Sequence, residues 1–489
     1  MHVLVTGATG FIGRSLVPSL IQRGHTVTAW VRNPDRARAL IGGDVRLVGA
    51  RDDAALARTI ESVDGVINLA GEPVAMTRWT AARRSSLTSS RVDTTRLLVD
   101  AIARANRRPS VLVSASAIGV YGDAGDAECR ENAPAGAGFL ADLCVAWERE
   151  AQRANALGVR VAIPRIGVVL GAEGGALAPM LPAFRLGLGG PIAGGRQWLS
   201  WIHLDDMVGV LVSMLEDKRW SGAVNAVAPG AVRNVDFARA LGAAVHRPAV
   251  LPLPGAALRL ALGESAQVVT ASQRVVPACL HAGGFRFAHP ELAGALQEVL
   301  GLVNTVDIAR TSSDAVKGAR FQLRQSALLD APLHEVFPFF ARAENLGLIT
   351  PSWTAFRILK APPEMSVDAR IDYTIKLNGI PMRWRTRIAV WEPATPGGTT
   401  ARFVDSQERG PYSLWWHEHR FEAVGDKTLM SDTVHYTLPL GPLGWIAHAV
   451  MVRGMLRRIF GFRYQAMRAR FGIGGRADEA ETRATAAAA

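Results

Sequence analysis

The feature that most constrains the fold is a glycine-rich turn, Thr6-Gly7-Ala8-Thr9-Gly10-Phe11-Ile12-Gly13, which joins an apolar strand to a segment with helical spacing. In this setting each glycine has its own mechanical role. Gly7 permits the tight turn, Gly10 lets the backbone approach a pyrophosphate, and Gly13 lets the helix pack on the strand. The helix N-terminus then offers N–H groups and the positive end of its dipole to phosphates. The turn therefore predicts a dinucleotide-binding unit, with Gly7, Thr9, Gly10, Phe11, Ile12 and Gly13 at the cofactor.

The end of the second strand-like segment, Thr26 to Val31, indicates which dinucleotide binds. An NAD-specific fold usually places Asp or Glu here, where it binds the ribose 2′-hydroxyl. This chain has Arg32 instead, and a guanidinium suits a 2′-phosphate through a charge-assisted contact. We therefore predict NADP(H) as the cofactor. The alternative is that Arg32 is a solvated loop charge.

Strand-like and helix-like segments alternate through the first three hundred residues, which predicts a Rossmann-type doubly wound α/β sheet. The apolar pattern breaks over residues 304–318, which we interpret as a linker. Beyond it, several long strand-like runs are followed by one helix, which predicts an α+β domain over residues 319–472. The expected organisation is thus a domain over 1–303, the linker, the second domain, and a disordered tail over 473–489.

Composition and charge narrow the functional classes. The 489 residues are 49% hydrophobic and 20% charged, which is typical of a globular protein with two or three domains. The net charge of +12 comes from scattered arginines, so we expect no nucleic-acid partner. Because the chain has neither a membrane-spanning apolar run nor a recognisable leader, we expect a cytoplasmic protein. Cys129, Cys144 and Cys279 match no metal spacing.

Longer motifs carry a resemblance to a known family. They are Asn68-Leu69-Ala70-Gly71-Glu72-Pro73, Ser114-Ala115-Ser116-Ala117-Ile118-Gly119-Val120-Tyr121-Gly122, and the stretch 190–206 that includes Trp198-Leu199-Ser200-Trp201-Ile202-His203. Together with the glycine turn they resemble the extended short-chain dehydrogenase/reductase superfamily, and within it the atypical epimerase/dehydratase-like family. The similarity runs to about Leu302 and includes the C-terminal extension of that family, here residues 225–300.

This resemblance implies functional residues. Leu69, Ala70, Gly71, Glu72, Ser114, Pro164 and Arg165 would line the cofactor. Ser116, with Ser114 as the alternate, would orient the carbonyl of a small-molecule substrate. Arg196, Trp201 and His203 would border the substrate cleft, although structural packing is an equal interpretation for the tryptophan.

The resemblance fails at the usual acid/base pair. In the superfamily a Tyr-x-x-x-Lys pair transfers the proton and holds the nicotinamide ribose, but here Leu140 and Cys144 stand in those places. Three interpretations stay open: another residue supplies the proton, the chemistry differs, or the fold senses NADP(H) without turnover. The candidates for the proton are Tyr121, Glu148, His203 and Glu72, and we favour the set Ser116, Tyr121 and Glu148. Cys144 is expected to be a buried apolar residue rather than a reactive thiol.

The second domain resembles the START-like helix-grip superfamily, whose members include polyketide cyclases and coenzyme-Q-binding proteins. The resemblance implies an apolar cavity for a lipid, quinone or polyketide. Along the strand Tyr412 to Phe421, alternation sends Trp415, His417, His419 and Phe421 to one face. With two histidines and no third ligand in view, we expect no metal.

The last helix carries arginines between its apolar residues, at positions 453, 457, 458, 463, 468 and 470. We interpret it as the gripping helix with an exposed basic face, and weak contact with an anionic membrane surface is the alternative. Two functions stay open for the whole chain. One is an NADP(H)-dependent oxidoreductase or epimerase-like enzyme with a fused hydrophobic-ligand domain. The other is a non-catalytic NADP(H)-sensing scaffold.

Overall fold

The computed structural model describes residues 1–472, apart from 42–44, 51, 75–76, 172–173, 301–305, 312–315, 378–379 and 396. The chain divides into two compact units, Met1–Leu300 and Gly301–Ala489. Among the described residues, no helix combines the length and apolar character needed to cross a bilayer.

The first unit is built on a parallel sheet. The strands of the whole unit, in its main sheet and in smaller sheets, are β1 (His2–Thr6), β2 (Thr26–Val31), β3 (Arg46–Gly49), β4 (Gly65–Asn68), β5 (Val111–Ser114), β6 (Ser116–Ala117), β7 (Glu128–Cys129), β8 (Arg160–Ile166), β9 (Val168–Gly171), β10 (Gly174–Gly175), β11 (Trp198–Leu199), β12 (Trp201–His203), β13 (Gly222–Ala226), β14 (Val232–Arg233) and β15 (Arg274–Val275). The main order is β13-β8-β5-β4-β1-β2-β3, and β6 pairs with β8. Strand order reverses beside β1, so its carboxyl end lies at the crevice where such sheets bind ligands.

Helices cover both faces of this sheet. The α-helices of the whole unit are α1 (Gly13–Gln22), α2 (Pro34–Ile41), α3 (Asp53–Ser62), α4 (Ala81–Thr88), α5 (Thr94–Arg104), α6 (Phe139–Gln152), α7 (Leu177–Arg185), α8 (Leu204–Glu216), α9 (Asn234–Ala244), α10 (Gly255–Leu262), α11 (Gln267–Thr270), α12 (Ala278–Ala282) and α13 (Leu292–Val299). Leu16 and Leu211 of α1 and α8 belong to one apolar core, and Ile60 and Leu98 of α3 and α5 to another. The predicted Rossmann-type fold is confirmed, with α1 beginning at Gly13 rather than Phe11.

The second unit is a single antiparallel sheet with helices. Its elements are β16 (Asp307–Arg310), β17 (Phe321–Leu329), α14 (Leu333–Phe340), β18 (Arg357–Lys360), β19 (Arg370–Leu377), β20 (Ile380–Glu392), β21 (Thr400–Arg409), β22 (Leu414–Val424), β23 (Lys427–Thr437), α15 (Gly441–Ala447) and α16 (Arg453–Phe471). The strand order is β16-β17-β23-β22-β21-β20-β19-β18. Helix α16 packs on this sheet through Leu456, Phe460 and Met467. The predicted helix-grip fold is confirmed.

The linker prediction is wrong over β16, which lies within residues 304–318. Asp307–Arg310 pair antiparallel with β17, and Ile308 faces Leu323 across the ladder. Both side chains are buried in the same core, so burial of Ile308 holds this segment on the sheet. Residues 304–305 and 312–315 of the predicted linker, and the predicted tail over 473–489, lie outside the described residues.

The exposed basic face expected on α16 is also wrong for most of its arginines. Arg463 is buried and its Nε lies 2.8 Å from Asp432 Oδ2. The guanidinium of Arg458 lies 5.0 Å from the ring centre of Trp353, and that of Arg470 lies over Phe339. Long arginine stems cover apolar surface while the charge finds a ring or a carboxylate. Of the six arginines, Arg453 is the one that is exposed.

Candidate functional site

The glycine turn has the geometry that a pyrophosphate requires. Gly7 has φ +66°, and a Cβ there would lie 2.5 Å from the Leu69 carbonyl oxygen. A Cβ on Gly13 would lie 2.3 Å from the carbonyl oxygen of Gly7. Gly10 donates its N–H to that same carbonyl at 2.9 Å and is itself exposed. Only glycine fits this backbone, which leaves the start of α1 open to a ligand.

A second glycine-rich segment packs against the turn through Phe11. Added Cβ atoms on Gly171, Gly174 and Gly175 would lie 2.6, 2.5 and 2.9 Å from atoms of the Phe11 ring. The side chain of Phe11 is thus covered by the β9–β10 hairpin, and Thr9 and Ile12 are half-buried beside it. The structure therefore brings these two glycine segments together at the carboxyl end of β1.

Charged side chains gather where β2 and β4 end. The side chain of Arg32 is 86% exposed, and its Nη1 lies 3.9 Å from Glu72 Oε1. Arg83 donates to the Glu72 carboxylate, and Ser86 Oγ donates to it at 3.0 Å. The Ser86 hydrogen bond, with Arg83 and Arg32, lowers the pKa of Glu72. Glu72 is therefore an anion that holds Arg83 in place, whereas Arg32 lies at the limit of ion-pair distance from it and is largely exposed, so that it can turn toward a phosphate.

Arg91, which no sequence pattern indicated as a site residue, lies in a π-helical turn, Ser89–Asp93, ahead of α5. Its Nη2 donates to the Glu72 carbonyl at 2.7 Å, and its guanidinium would touch a Cβ on Gly71 at 3.0 Å. Burial lowers the pKa of Arg91, and the Cys144 side chain is close enough to influence it. A cation thus stands beside the position where the family's lysine is absent. In the sequence, nothing in the quoted motifs distinguishes Arg91 from the many other arginines of the chain.

Ser114 has a structural role beneath the crevice. It is fully buried and accepts a hydrogen bond from Asn68 Nδ2 at 3.1 Å. Asn68 also donates to Thr95 and accepts from Thr6 Oγ1. These bonds tie the ends of β1, β4 and β5 together. The hydroxyl of Ser114 is therefore enclosed within this network, and its contact with the cofactor stays a prediction.

Ser116, Glu148 and Arg165 form a buried network. Ser116 Oγ donates to Glu148 Oε1 at 2.6 Å. Arg165 holds the same carboxylate in a fork, with Nε to Oε1 and Nη2 to Oε2 both at 2.9 Å. Burial alone would lower the pKa of Arg165, but Glu148 outweighs it and raises that pKa. Arg165 was predicted to line the cofactor, and the structure directs its guanidinium to Glu148 instead.

Tyr121 closes the other side of this network. It is buried, and its hydroxyl donates to Asn225 Oδ1 at 2.7 Å and accepts from Arg165 Nη1 at 2.9 Å. Burial raises the pKa of Tyr121, although Arg165 and Asn225 oppose that rise. Its proton is committed to an internal acceptor, which disfavours Tyr121 as the acid. Pro164, which was predicted to line the cofactor, is buried within β8.

Cys144 is buried as expected. Burial is the largest cause that raises the pKa of its thiol, to about 11, and Glu148 adds to it. A thiol with this pKa is protonated at neutral pH, so it is a poor nucleophile. The alternative of a reactive cysteine in place of the lysine is therefore disfavoured.

The predicted substrate residues Trp201 and His203 lie two positions apart on β12, and Arg196 precedes β11. Trp201 is 1% exposed, lies in the core, and donates its indole N–H to the Gly230 carbonyl. His203 is buried and caps α8 by accepting the Asp205 N–H at Nδ1. Packing and helix capping thus use both side chains, and the expectation that they border a cleft stays a prediction. Arg196 is exposed.

The rings of His289 and His203 lie 3.8 Å apart between centres, tilted by 40°, and His289 pairs with Glu298 and Asp205. Burial would lower the pKa of His289, but these carboxylates raise it from 6.5 to about 9. Its charge should therefore stabilise the first unit fully below pH 6.5, and this stabilisation should be lost as pH rises through about 9. We expect a loss of roughly 2–3 kcal/mol in the free energy of unfolding. Urea titrations at several pH values would measure it, and an identical pH profile for His289→Gln would refute it.

The second unit encloses a cavity of about 160 Å³ between the sheet and α16. Most of its wall is apolar, and it includes Phe339, Phe340, Phe356, Ile371, Ile375, Leu377, Trp384, Ile388, Trp415, Met455, Leu456, Ile459 and Phe460. Trp415, His417 and His419, which strand alternation places on one face of β22, are on this wall. The indole N–H of Trp384 is buried and has no hydrogen-bond partner among the described residues.

Polar groups converge at one part of this wall. Asp405, His417, His419 and Arg463 line the cavity, and Asp432 lies behind them, fully enclosed. The histidines share both carboxylates, at distances between 2.6 and 3.3 Å. Adjacent strands bring them together, since Asp405 faces His417, and His419 faces Asp432, across the ladders.

Comparison with protein families assigns three segments of the chain. The NAD dependent epimerase/dehydratase family matches residues 3–226. A domain of unknown function (DUF1731) matches residues 253–299, and the family described as polyketide cyclase / dehydrase and lipid transport matches residues 329–461.

Individual relatives agree with this assignment. Epimerase family protein SDR39U1 of Bos taurus is 41% identical over 61% of this chain and 100% of its own length. Its chloroplastic homologue from Arabidopsis thaliana is 40% identical over 61% of this chain and 87% of its own length. The crystal structure of human SDR39U1 (isoform 2) with NADPH matches 61% of this chain and 99% of that chain, at 38% identity and a TM-score of 0.56.

Proposed function

The chain belongs to the NAD-dependent epimerase/dehydratase family, and from this we propose that it is an NADP(H)-dependent oxidoreductase or epimerase-like enzyme. Its substrate would be a small or lipid-like carbonyl or hydroxyl compound. The observation that carries the proposal is the turn of Gly7, Gly10 and Gly13, whose backbone leaves no room for a Cβ and opens at the start of α1. The crystal structure of the human relative with NADPH supports the choice of cofactor.

In this proposal the turn and the start of α1 bind the pyrophosphate, Arg32 binds the 2′-phosphate, and Leu69 to Glu72 border the ribose. The cofactor supplies or accepts a hydride when bound. Ser116 would then relay a proton between a substrate oxygen and Glu148 along the hydrogen bond of 2.6 Å that joins them: the carboxylate receives the proton when an alcohol is oxidised, and the carboxyl group returns it when a carbonyl is reduced. Arg165 holds the carboxylate in one orientation for this transfer. Ser116 and Glu148 would thus take the role that Tyr and Lys have elsewhere in the superfamily.

A second function is favoured by a specific observation. Ser116 and Tyr121 are both buried, and both hydroxyls donate to acceptors inside the protein. This closed network suits a scaffold that binds NADP(H) without turnover. The two functions differ in one measurable respect: the enzyme oxidises NADPH with some carbonyl compound and the sensor does not.

The second unit would bind a hydrophobic ligand, such as a lipid, quinone or polyketide. Its apolar cavity supports this, as does the match to a family of polyketide cyclases and lipid-transport proteins. The unpaired indole N–H of Trp384 on the wall favours a ligand that carries an oxygen acceptor.

Arg32→Asp tests the choice of cofactor. We expect the ratio of NADPH affinity to NADH affinity to fall by about 10- to 100-fold in the variant, because the guanidinium proposed to bind the 2′-phosphate is replaced by a carboxylate that repels it. Dissociation constants for both nucleotides, from isothermal titration, measure this ratio. An unchanged ratio would mean that Arg32 is only a solvated charge.

Arg91→Met tests the replacement cation. We expect NADPH affinity to fall by about 10-fold or more, because a half-buried positive charge beside Gly71 is removed. Arg96→Met is the matched control, since Arg96 follows on the same helical segment but pairs with Asp93 and Glu150. If both variants bind NADPH equally well, Arg91 has no part in the cofactor site.

A further inference from the structure

The polar part of the cavity wall in the second unit has the arrangement of a metal centre. Asp405 Oδ2 lies 3.3 Å from His417 Nδ1 and 3.0 Å from His419 Nε2. Metal–nitrogen and metal–oxygen bonds of about 2.0–2.2 Å place tetrahedral ligand atoms about 3.3 Å apart. The three candidate ligand atoms all lie within 4.8 Å of one another. Two imidazoles and one carboxylate thus converge at the spacing of ligands around one ion.

The opposite edge of each imidazole faces a second carboxylate. Asp432 Oδ1 lies 2.6 Å from His419 Nδ1 and 3.3 Å from His417 Nε2. Metal-binding histidines usually donate their other N–H to a carboxylate in this way, which sets the tautomer. Arg463 in turn balances the charge of Asp432, with Nε at 2.8 Å from Oδ2. Asp432 and Arg463 therefore hold both rings in one orientation.

Counting protons supports the same conclusion. Four ring nitrogens face carboxylate oxygens, but two neutral imidazoles carry only two N–H groups. With the N–H of each ring on its Asp432 side, at 2.6 Å for His419 Nδ1 and 3.3 Å for His417 Nε2, the atoms His417 Nδ1, His419 Nε2 and Asp405 Oδ2 are left as converging lone pairs. Arg463 Nη2, which lies 3.1 Å from His419 Nδ1, then has Asp432 Oδ1 as its acceptor at 3.5 Å. Either an added proton or a metal ion satisfies such a cluster, and all three residues line the cavity.

We propose that His417, His419 and Asp405 bind a divalent first-row transition-metal ion, with open coordination positions toward the cavity. Two histidines and one carboxylate with open positions bind Zn²⁺ or Fe²⁺ in other proteins. With two neutral imidazoles, two carboxylates and one arginine, the ion leaves a net charge of +1. The open positions therefore take an anionic oxygen donor, such as a carboxylate or enolate on an apolar body. This ligand class rests on the proposed function of the cavity, whereas the metal site does not.

Co²⁺ is the probe that tests the site. The full-length chain is freed of metal with a chelator, dialysed and titrated with Co²⁺. We expect one equivalent to bind with d–d absorption of a low-symmetry nitrogen and oxygen site, and elemental analysis after Zn²⁺ loading should give the same stoichiometry. No uptake, or octahedral Co²⁺ spectra equal to those of the free ion, would overturn the proposal.

Variants locate the ion. His417→Gln, His419→Gln and Asp405→Asn should each abolish the Co²⁺ bands, whereas Asp432→Asn should keep them and lower the affinity by about 10- to 100-fold. His334→Gln controls for an exposed histidine, and His289→Gln controls for the other group of possible ligands, in the first unit. Bands lost with His289→Gln and kept with His417→Gln would overturn the assignment. Should the cavity variants not fold, X-ray absorption of the wild-type Co²⁺ protein decides by whether it reports two imidazole ligands.

Discussion

Glu148→Gln is expected to lower the rate of NADPH oxidation by about 10²- to 10⁴-fold, the usual contribution of a positioned proton-transfer group. Glutamine keeps the size of the side chain and can still accept from Ser116, but it cannot carry the proton that the reduced carbonyl oxygen takes up. Ser116→Ala should cause a loss of similar size, since the hydroxyl connects the substrate oxygen to Glu148. The measurement is absorbance at 340 nm with a panel of aldehydes and ketones, beside NADPH binding, which both variants should retain.

Glu150→Gln is the matched control for this effect. Glu150 lies on the same helix, two residues along, and pairs with Arg96 and Arg153 rather than with Ser116. It should leave the rate within about 2-fold of the wild type, since it lies outside the proposed site. Turnover that survives both Ser116→Ala and Glu148→Gln would remove the proposed proton path and return the choice of acid to other residues.

Arg165→Met is expected to destabilise the first unit by about 3–5 kcal/mol, because it leaves the Glu148 carboxylate buried without its cation. The fork of Arg165 on Glu148 is largely enclosed, with side-chain exposures of 11% and 8%. Chemical denaturation would measure the loss, and the double variant Arg165→Met with Glu148→Leu should recover much of it. A loss below about 1 kcal/mol would contradict the buried pair and indicate that water reaches both groups.

Local sequence signals sufficed for the fold of each unit. The Gly7 to Gly13 turn is confined to seven residues, and each glycine meets a steric need that can be read from spacing alone. The alternation of Trp415, His417, His419 and Phe421 likewise placed Trp415 and both histidines on the cavity wall. Such signals are reliable because strand and turn geometry act over a few residues.

Local sequence patterns could not identify contacts between residues that are far apart in the sequence. Asp405 becomes a partner of His417 only through the register of β21 on β22, and Asp432 is brought to His419 by β23. From the sequence alone, two histidines could be recognised as possible ligands, but no third ligand could. In the same way, a helical position alone could not show that Arg463 turns inward to a buried carboxylate, or that Trp201 serves the core. The residue type of a side chain does not by itself identify the charged group or the cavity that it contacts in the folded chain.

The central claim, that the first unit binds NADP(H) through the glycine turn and Arg32, is tested most directly by native mass spectrometry of the full-length chain. We predict that the protein, as purified or after addition of NADPH, carries one increment of the nucleotide's mass, and that NADH competes poorly for the same position. A chain that takes up neither NADPH nor NADH under conditions where it is folded would contradict this claim, and with it both the enzyme and the sensor.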